Sequence, residues 1–261
     1  MKKKLCRITA LLLAAVLSLG GCGQPGAGKK RTDSTQQTEE TKNKKEDQSK
    51  SDKKGPEIDG LTYESTMDLT YATEFDVYDY KDGYKLLDVH EDRQYLVVPE
   101  GKEAPEGLSE DIVVLQQPLD HIYMAATAIM SLLDAVDAID QVKFSGLNAS
   151  GWYVEDAKKA MESGDMIYAG KYSEPDYETL VNGECDLAVE STMILHTPKV
   201  QEMIEDLDIP VFVDYSSYES HPLGRTEWIK LYGAMLNKED AADSFFEKQA
   251  QVIEKLKGFE N

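Results

Sequence analysis

Aromatic, hydroxyl and amide side chains are concentrated in four short segments of this sequence. Each segment directly follows a run of apolar residues, and the four are residues 116–121, 146–153, 190–193 and 214–221. Flat rings with polar tips provide apolar contact together with directed hydrogen bonds, which suits a pocket for a sizeable organic molecule. We therefore expect a ligand-binding site built from residues of these segments: Gln116, Gln117, Trp152, Tyr153, Thr192, Tyr215 and Tyr218.

Motifs for catalysis are missing from the sequence. It contains no G-x-S-x-G, no phosphate-binding loop, no H-E-x-x-H and no paired-cysteine motif. We therefore expect a binding protein that makes and breaks no bonds. Ser220 and His221 are the only adjacent serine and histidine, so an α/β hydrolase remains an alternative from a different functional class.

The histidines raise the question of a metal site. There are four of them, and three would lie near predicted strand ends; the four are His90, His121, His196 and His221. Their spacing matches no known metal-binding motif, so we expect neither a metal site nor a cofactor. A divalent-metal-binding receptor is an alternative that requires these histidines to converge.

The first part of the folded sequence predicts an antiparallel β meander. Residues 75–80 and 84–89 both read as strands, and they flank Lys81-Asp82-Gly83. An Asp-Gly pair between two such runs is a strong hairpin signal. Residues 93–98 add a third strand.

The elements that would hold the four polar segments follow from residue 111 onward. Short apolar strands, the first over 111–115, alternate there with helices, the first over 121–139. This alternation is typical of parallel β-α-β units. Ligands bind to an open parallel sheet at the carboxyl ends of its strands, so the four segments should meet at one edge.

The last part of the sequence is helical. A helix with Ser173 as its N-cap and Pro175 in its first turn precedes a strand near residue 186, and helices over 226–236 and 241–257 come last. The predicted fold class is α/β, a parallel-sheet lobe with flanking helices, preceded by a short antiparallel β meander and ending in a long helix.

Charge is distributed unevenly along the chain. The formal net charge is −21, and residues 61–261 contain 41 Asp and Glu against 15 Lys and Arg, a net of −26. Such an acidic body repels phosphate backbones, which argues against nucleic acid as a partner. Any partner should be neutral or cationic, or should present a basic surface of its own; the small organic or metal-chelate ligand that we expect follows from the resemblance described below.

The amino terminus resembles a bacterial lipoprotein signal. A basic start is followed by an apolar run over residues 8–19 and by Leu19-Gly20-Gly21-Cys22. The resemblance implies cleavage before Cys22 and acylation of its thiol, which would anchor the protein to the cell membrane on the extracytoplasmic face. Cys6 would leave with the signal, and Cys185 would remain as a lone, buried and inert thiol.

Four regions are predicted along the chain. They are a signal peptide (1–21), a lipid-anchored disordered tether (22–57), an α/β substrate-binding lobe (58–240) and the start of a long backbone helix (241–261). The tether is assigned because residues 23–57 contain almost no large apolar side chains to bury.

Residues 215–236 carry a second resemblance. After a Ser/Tyr-rich loop they contain Pro222-Leu223-Gly224, Glu227-Trp228-Ile229-Lys230 and Gly233-Ala234, and residues 174–189 contain a P-x-x-E-x-L…D-L pattern. Over about residues 75–257 the sequence resembles ABC-transporter substrate-binding lipoproteins of the iron-siderophore, haem and cobalamin class.

This resemblance implies a function and partners. A protein of that class captures a ferric siderophore, haem or corrinoid and delivers it to an ABC permease and its ATPase. Acidic residues dock such proteins onto permease arginines, and Glu178 and Glu219 are the positions we assign to that role. Members of the family continue past the long helix into a second lobe, so the resemblance implies either a piece of a longer protein or a one-lobed form.

Overall fold

The computed structural model describes residues 54–90 and 92–257. The predicted signal peptide, the lipidation site Cys22 and nearly all of the predicted tether lie outside the described residues. Within the described ranges, no helix combines the length and the apolar character that crossing a bilayer requires.

The described part of the chain is a mixture of strands and helices, which confirms the α/β fold class. The strands are β1 (Tyr63–Thr66), β2 (Phe75–Tyr80), β3 (Lys85–Val89), β4 (Gln94–Val98), β5 (Ile112–Gln116), β6 (Ile122–Met124), β7 (Val142–Ser145), β8 (Ile167–Tyr168), β9 (Gly170–Lys171), β10 (Glu174–Pro175), β11 (Leu187–Ser191) and β12 (Val211–Asp214). The helices are α1 (Met130–Ala135), α2 (Glu155–Ser163), α3 (Tyr177–Asn182), α4 (Pro198–Glu205), α5 (Pro222–Leu236) and α6 (Glu239–Lys257).

The first sheet has the order β1-β2-β3-β4-β5. Strands β2, β3 and β4 form the predicted antiparallel meander, and β1 adds a fourth antiparallel strand that was not predicted. Asp82 and Gly83 take positive φ angles of 66° and 88° in the β2–β3 turn. Strand β5 pairs with β4 in parallel and belongs to this sheet. The expectation that residues 111–115 start the parallel sheet is therefore wrong.

The folded part begins earlier than residue 58. The Tyr80 hydroxyl donates a hydrogen bond to the Pro56 carbonyl at 2.6 Å, and Ile58 is buried with Tyr78 and Tyr80 against the outer face of the first sheet. Gly55 and Pro56, assigned to the tether in the sequence, thus pack on the meander.

The second sheet has the order β12-β11-β6-β7-β8, and all its pairs are parallel, as predicted. Its central strand β6 lies where the sequence predicts a helix over 121–139, so that prediction is wrong for residues 122–124. All three residues of β6 are buried between β11 and β7. Burial in the middle of the sheet overrides the helical tendency of the Ala- and Met-rich sequence around them.

Helix α3 begins later than predicted. Glu174 and Pro175 pair with Lys171 and Gly170 in a two-stranded ribbon, so Ser173 caps no helix. The N-cap is Asp176, whose carboxylate accepts a hydrogen bond from the Thr179 N–H at 3.1 Å.

Helix α5 lies between the two sheets. Eleven of its 15 residues are buried, so it is an interior helix rather than an amphipathic surface helix. The Trp228 ring contacts Phe75 of β2 edge-on at 5.0 Å, and the Tyr232 ring contacts Phe212 of β12 at 5.9 Å. One continuous core therefore joins the meander to the parallel sheet.

Candidate functional site

The carboxyl edge of the parallel sheet gathers most of the predicted ligand-binding residues. Because β7, β11 and β12 run in parallel, the turns that follow them lie at one edge of the sheet. The turn after β7 carries Trp152 and Tyr153, the turn after β11 carries Thr192, and the turn after β12 carries Tyr215 and Tyr218.

The turn after β12 is fixed by a buried carboxylate. Asp214 accepts hydrogen bonds from the Ser216 N–H at 3.2 Å, the Ser216 hydroxyl at 2.6 Å and the Tyr232 hydroxyl at 2.8 Å. Burial raises the pKa of Asp214, and these hydrogen bonds partly offset the rise. The turn is therefore held by α5 as well as by its own backbone.

This turn presents a stacked pair of tyrosines. The rings of Tyr215 and Tyr218 lie 5.5 Å apart with an interplanar angle of 29°. Tyr215 is buried, and burial raises the pKa of its phenol. Tyr218 is 59% exposed and is the ring available to a ligand.

The turn after β7 is organised by Ser145. Its hydroxyl donates to the Leu147 carbonyl at 2.7 Å and accepts the Trp152 indole N–H at 2.9 Å. Trp152 is only 7% exposed, whereas Tyr153 is 98% exposed. The structure thus corrects the role expected of Trp152, which supports the turn from within the core, whereas Tyr153 projects outward from the turn.

The turn after β11 adds flexible apolar side chains. The Ser191 hydroxyl accepts a hydrogen bond from the Met193 N–H at 3.4 Å, and Thr192 is half-buried. Met193 and Leu195 project from the turn with large exposed surfaces. Together with the tyrosines they make the rim of the carboxyl edge apolar.

Gln116 and Gln117 lie away from this edge, so their assignment to the ligand site is corrected. Residues 117–121 connect β5 of the first sheet to the amino end of β6. The Gln117 amide donates to the Met235 carbonyl at 2.9 Å and accepts from Asn237 at 3.1 Å. The Gln116 amide donates to the carbonyls of Val98, Pro99 and Gln117. Both amides hold the connection in place.

Residues 125–129, rather than Gln116 and Gln117, lie at the carboxyl edge of the sheet. They follow β6 and were predicted to be helical. Thr127 and Ala128 are exposed there. The sequence offers only a weak signal for this segment, the apolar run Ile122-Tyr123-Met124 before two alanines and a threonine. The segment lies against Gly146, where an added Cβ would be 2.9 Å from the Ala125 Cα.

Replacing Gly146 by alanine is expected to lower the free energy of unfolding by about 2 kcal/mol, because a Cβ at this position meets backbone that cannot move aside cheaply. Gly151 in the same turn is the matched control, since an added Cβ there meets only side-chain atoms at 3.5 Å or more. Urea denaturation measures both variants. Equal stability of Gly146→Ala and Gly151→Ala would contradict the close approach of the two turns.

Glu178 and Glu219 are the two residues assigned to permease docking, and they differ in exposure. Glu178 is exposed in the first turn of α3. Glu219 is 2% exposed, and its carboxylate accepts the N–H groups of Thr73 and Glu74 and the indole N–H of Trp228 at 3.0 to 3.1 Å. Glu219 presents no free surface, so its docking assignment is corrected to a structural one.

A second buried glutamate completes this arrangement. Glu227 of α5 accepts the N–H groups of Thr70, Tyr71 and Ala72 at 2.9, 2.6 and 2.9 Å, and Lys230 lies 3.2 Å from its carboxylate. Glu219 and Glu227 thus bind five successive main-chain N–H groups of residues 70–74, which we call the amide segment. The amide segment joins β1 to β2, so these contacts tie the first sheet to α5.

The residues expected in the hydrolase alternative are not assembled. The His221 Nδ1 atom accepts the Leu223 N–H at 3.1 Å as the N-cap of α5, and its ring stacks on Tyr71 at 4.6 Å. Among the described residues, no hydrogen bond joins the Ser220 hydroxyl to the His221 ring. Burial raises the pKa of the Cys185 thiol to about 12, which fits the expected inert role of this buried residue.

The histidines do not converge. His90 lies on the first sheet, with its ring nitrogens 2.8 Å from the Thr73 carbonyl and 3.1 Å from Asp76. His196 and His221 follow β11 and β12 at the carboxyl edge, and His121 precedes β6 at the amino edge. The condition for the metal-receptor alternative is therefore not met.

Glu190 of β11 is a buried carboxyl group that differs from Glu219 and Glu227 in its hydrogen bonding. It is fully buried, and neither of its oxygens has a hydrogen-bond partner among the described residues. Burial raises its pKa to about 8. The carboxyl group is therefore mostly neutral at pH 7.

No family model matches the sequence. Two uncharacterized lipoproteins of Methanocaldococcus jannaschii are similar to it. One is 28% identical over 155 residues, with 56% of this chain and 36% of the relative covered. The other is 23% identical over 261 residues, with 97% of this chain and 62% of the relative covered. The chain therefore spans less than two thirds of the length of each relative.

Two solved structures are similar to about half of this chain each. A haem-binding protein from Pseudomonas aeruginosa has a TM-score of 0.41 and 13% identity, with 52% of this chain and 45% of that chain covered. A siderophore-binding protein bound to two acinetobactin molecules and ferric iron has a TM-score of 0.42 and 17% identity, with 53% and 47% covered.

Proposed function

We propose that this protein is a lipid-anchored, extracytoplasmic solute-binding protein that captures a ferric siderophore, haem or corrinoid and delivers it to an ABC permease. The observation that carries the proposal is the apolar, aromatic rim at the carboxyl edge of the parallel sheet. Exposed side chains from three separate turns contribute to this rim, and they are Tyr153, Met193, Leu195 and Tyr218.

The chemistry of the rim suits a large, partly planar chelate. Tyrosine rings offer flat apolar contact and a hydroxyl that can hydrogen-bond to a ligand's carboxylates or carbonyls. Methionine adapts its shape to irregular surfaces. Exposed apolar patches rimmed by polar groups mark sites of interaction on soluble proteins.

The predicted location agrees with this role. The lipoprotein signal resemblance, with Cys22 as the acylated residue, would hold the protein at the outer face of the cell membrane. The names of the two archaeal relatives also describe lipoproteins. Glu178 remains the acidic residue that we assign to a permease arginine, because it is exposed on α3.

Calorimetric titration of the full chain with haemin, cyanocobalamin and a ferric hydroxamate siderophore tests the proposal. We expect one of these probes to bind with 1:1 stoichiometry. Replacing Tyr218 or Tyr153 by alanine should weaken that binding about five- to tenfold, roughly the contribution of one good aromatic contact.

Leu207→Ala is the matched control for the titration. Leu207 is an exposed apolar residue that precedes β12, at the edge opposite the rim, and its replacement should change affinity less than twofold. Absence of saturable binding by all three probes would contradict the proposed function. Equal losses in the rim variants and the control would move the site away from the rim.

A further inference from the structure

Three metal-binding side chains meet at the amino edge of the parallel sheet, opposite the aromatic rim. Asp120 and His121 directly precede β6, and Asp186 directly precedes β11. These strands are neighbours, with Leu187 opposite Ile122, so their preceding residues come together. Each of the three side chains offers one ligand atom, and these atoms all lie within 4.8 Å of one another.

Main-chain hydrogen bonds fix the three residues relative to one another. The Asp186 Oδ2 atom accepts the N–H groups of Asp120 and His121 at 2.8 and 2.9 Å, and the Asp186 N–H donates to the His121 carbonyl at 3.3 Å. The backbone positions of all three residues are therefore set before any ligand arrives, which lowers the entropy lost on binding.

The second oxygen of Asp186 gives an independent reason to expect a ligand. Oδ1 is buried and has no hydrogen-bond partner among the described residues. Buried carboxylate oxygens normally have a partner, and one that lacks it calls for an explanation such as a bound ion. A cation beside Asp186 would supply the missing interaction.

We infer that Asp120, His121 and Asp186 bind a divalent first-row transition-metal ion such as Zn²⁺, with water completing its coordination. One imidazole nitrogen and two carboxylates are ligands that Zn²⁺ accepts, at about 2.0–2.2 Å. The imidazole disfavours Ca²⁺ and Mg²⁺, which take oxygen ligands. Asp120 and His121 are more than one-third exposed, so their side chains can rotate the short distance needed to close around an ion.

This metal site is separate from the ligand site proposed above. Strand β11 spans five residues between Asp186 and the turn that carries Thr192. At about 3.3 Å per residue, the six steps from Asp186 to Thr192 place the two edges about 20 Å apart. The metal would join the starts of two adjacent strands, and we expect it to raise the melting temperature through its preference for the folded state.

Titration of the full chain, purified without a histidine tag, with Zn²⁺ tests this inference by calorimetry and by thermal melting. We expect saturable 1:1 binding and a Tm that rises with Zn²⁺ and returns after chelation with EDTA. His121→Ala and Asp186→Asn should each weaken Zn²⁺ binding at least tenfold. His196→Ala is the matched control, because His196 is exposed at the other edge of the sheet. The His196→Ala variant should bind Zn²⁺ with the affinity of the wild type.

Melting curves of each variant without metal show whether it is folded, and Asp120→Asn is a further variant if Asp186→Asn fails to fold. Unchanged Zn²⁺ affinity in His121→Ala would overturn the inference, as would Ca²⁺ binding that is tighter than Zn²⁺ binding. Haemin or siderophore binding measured on His121→Ala should stay at the wild-type level. If haemin, cyanocobalamin and the siderophore all failed to bind, the proposed function would be contradicted, but the inference of a metal site would not.

Discussion

Replacing Glu227 by alanine is expected to lower the free energy of unfolding by about 4 kcal/mol. The side chain is fully buried, and it accepts three main-chain N–H groups of the amide segment. Each buried donor left without a partner costs about 1–3 kcal/mol. Lys230, which is 12% exposed, would also lose the nearer of its two carboxylate partners and keep only Asp243 at 3.9 Å.

Urea denaturation followed by circular dichroism measures this loss. Glu202→Ala is the matched control, because Glu202 is an exposed residue on α4 and its removal should change stability by less than about 0.5 kcal/mol. The free energy of unfolding of Glu227→Gln should lie between those of Glu227→Ala and Glu202→Ala. The glutamine amide oxygen can accept hydrogen bonds from some of the N–H groups, but its NH₂ group faces the others. A Glu227→Ala variant as stable as the control would show that the amide segment does not need this carboxylate.

Raising the pH from 4.5 to 8 is expected to remove about 3–5 kcal/mol of stability through Glu190 alone. Burial raises the pKa of this carboxyl group from 4.5 to about 8. The folded state therefore binds the proton more tightly than the unfolded state does. The stabilisation is complete below pH 4.5 and is lost as the pH rises through 8, at about 1.4 kcal/mol per pH unit.

Comparing the wild type with Glu190→Gln isolates this effect. Asp92, Asp186 and Asp214 also have pKa values raised by burial, so they affect the pH dependence in the same direction in both proteins. The variant should lack the Glu190 contribution, and it should gain stability relative to the wild type as the pH rises from 5 to 9. A constant stability difference across this range would mean that Glu190 has an ordinary pKa.

The sequence predicted the two sheets because their signals are local. The Asp-Gly turn located the β2–β3 hairpin, and apolar runs located β7, β11 and β12 within a residue or two. Strand β6 was not predicted because a run of three residues is too short to show the alternation of a strand. Its burial depends on the neighbouring strands β11 and β7. The N-cap of α3 was misplaced because Ser173 and Asp176 are both good caps, and the choice depends on the β9–β10 ribbon.

Site residues were harder to predict than elements. The aromatic turns were found from composition, yet composition does not distinguish Trp152, which points into the core, from Tyr153, which points out. Gln117 was misassigned because its partners, Met235 and Asn237, lie more than a hundred residues away. The Asp120, His121 and Asp186 cluster depends likewise on the pairing of β6 with β11, which no spacing in the sequence reveals.

The amide segment has a consequence for how this sequence can vary. Glu219 and Glu227 recognise main-chain N–H groups, which are the same in every residue type except proline. The main-chain attachment itself therefore excludes only proline at residues 70–74, while the side chains of Tyr71, stacked on His221, and Thr73, whose hydroxyl donates to Glu219, make contacts of their own. The two glutamates have no such freedom, so an alignment should show two invariant acids opposite a segment from which proline is absent.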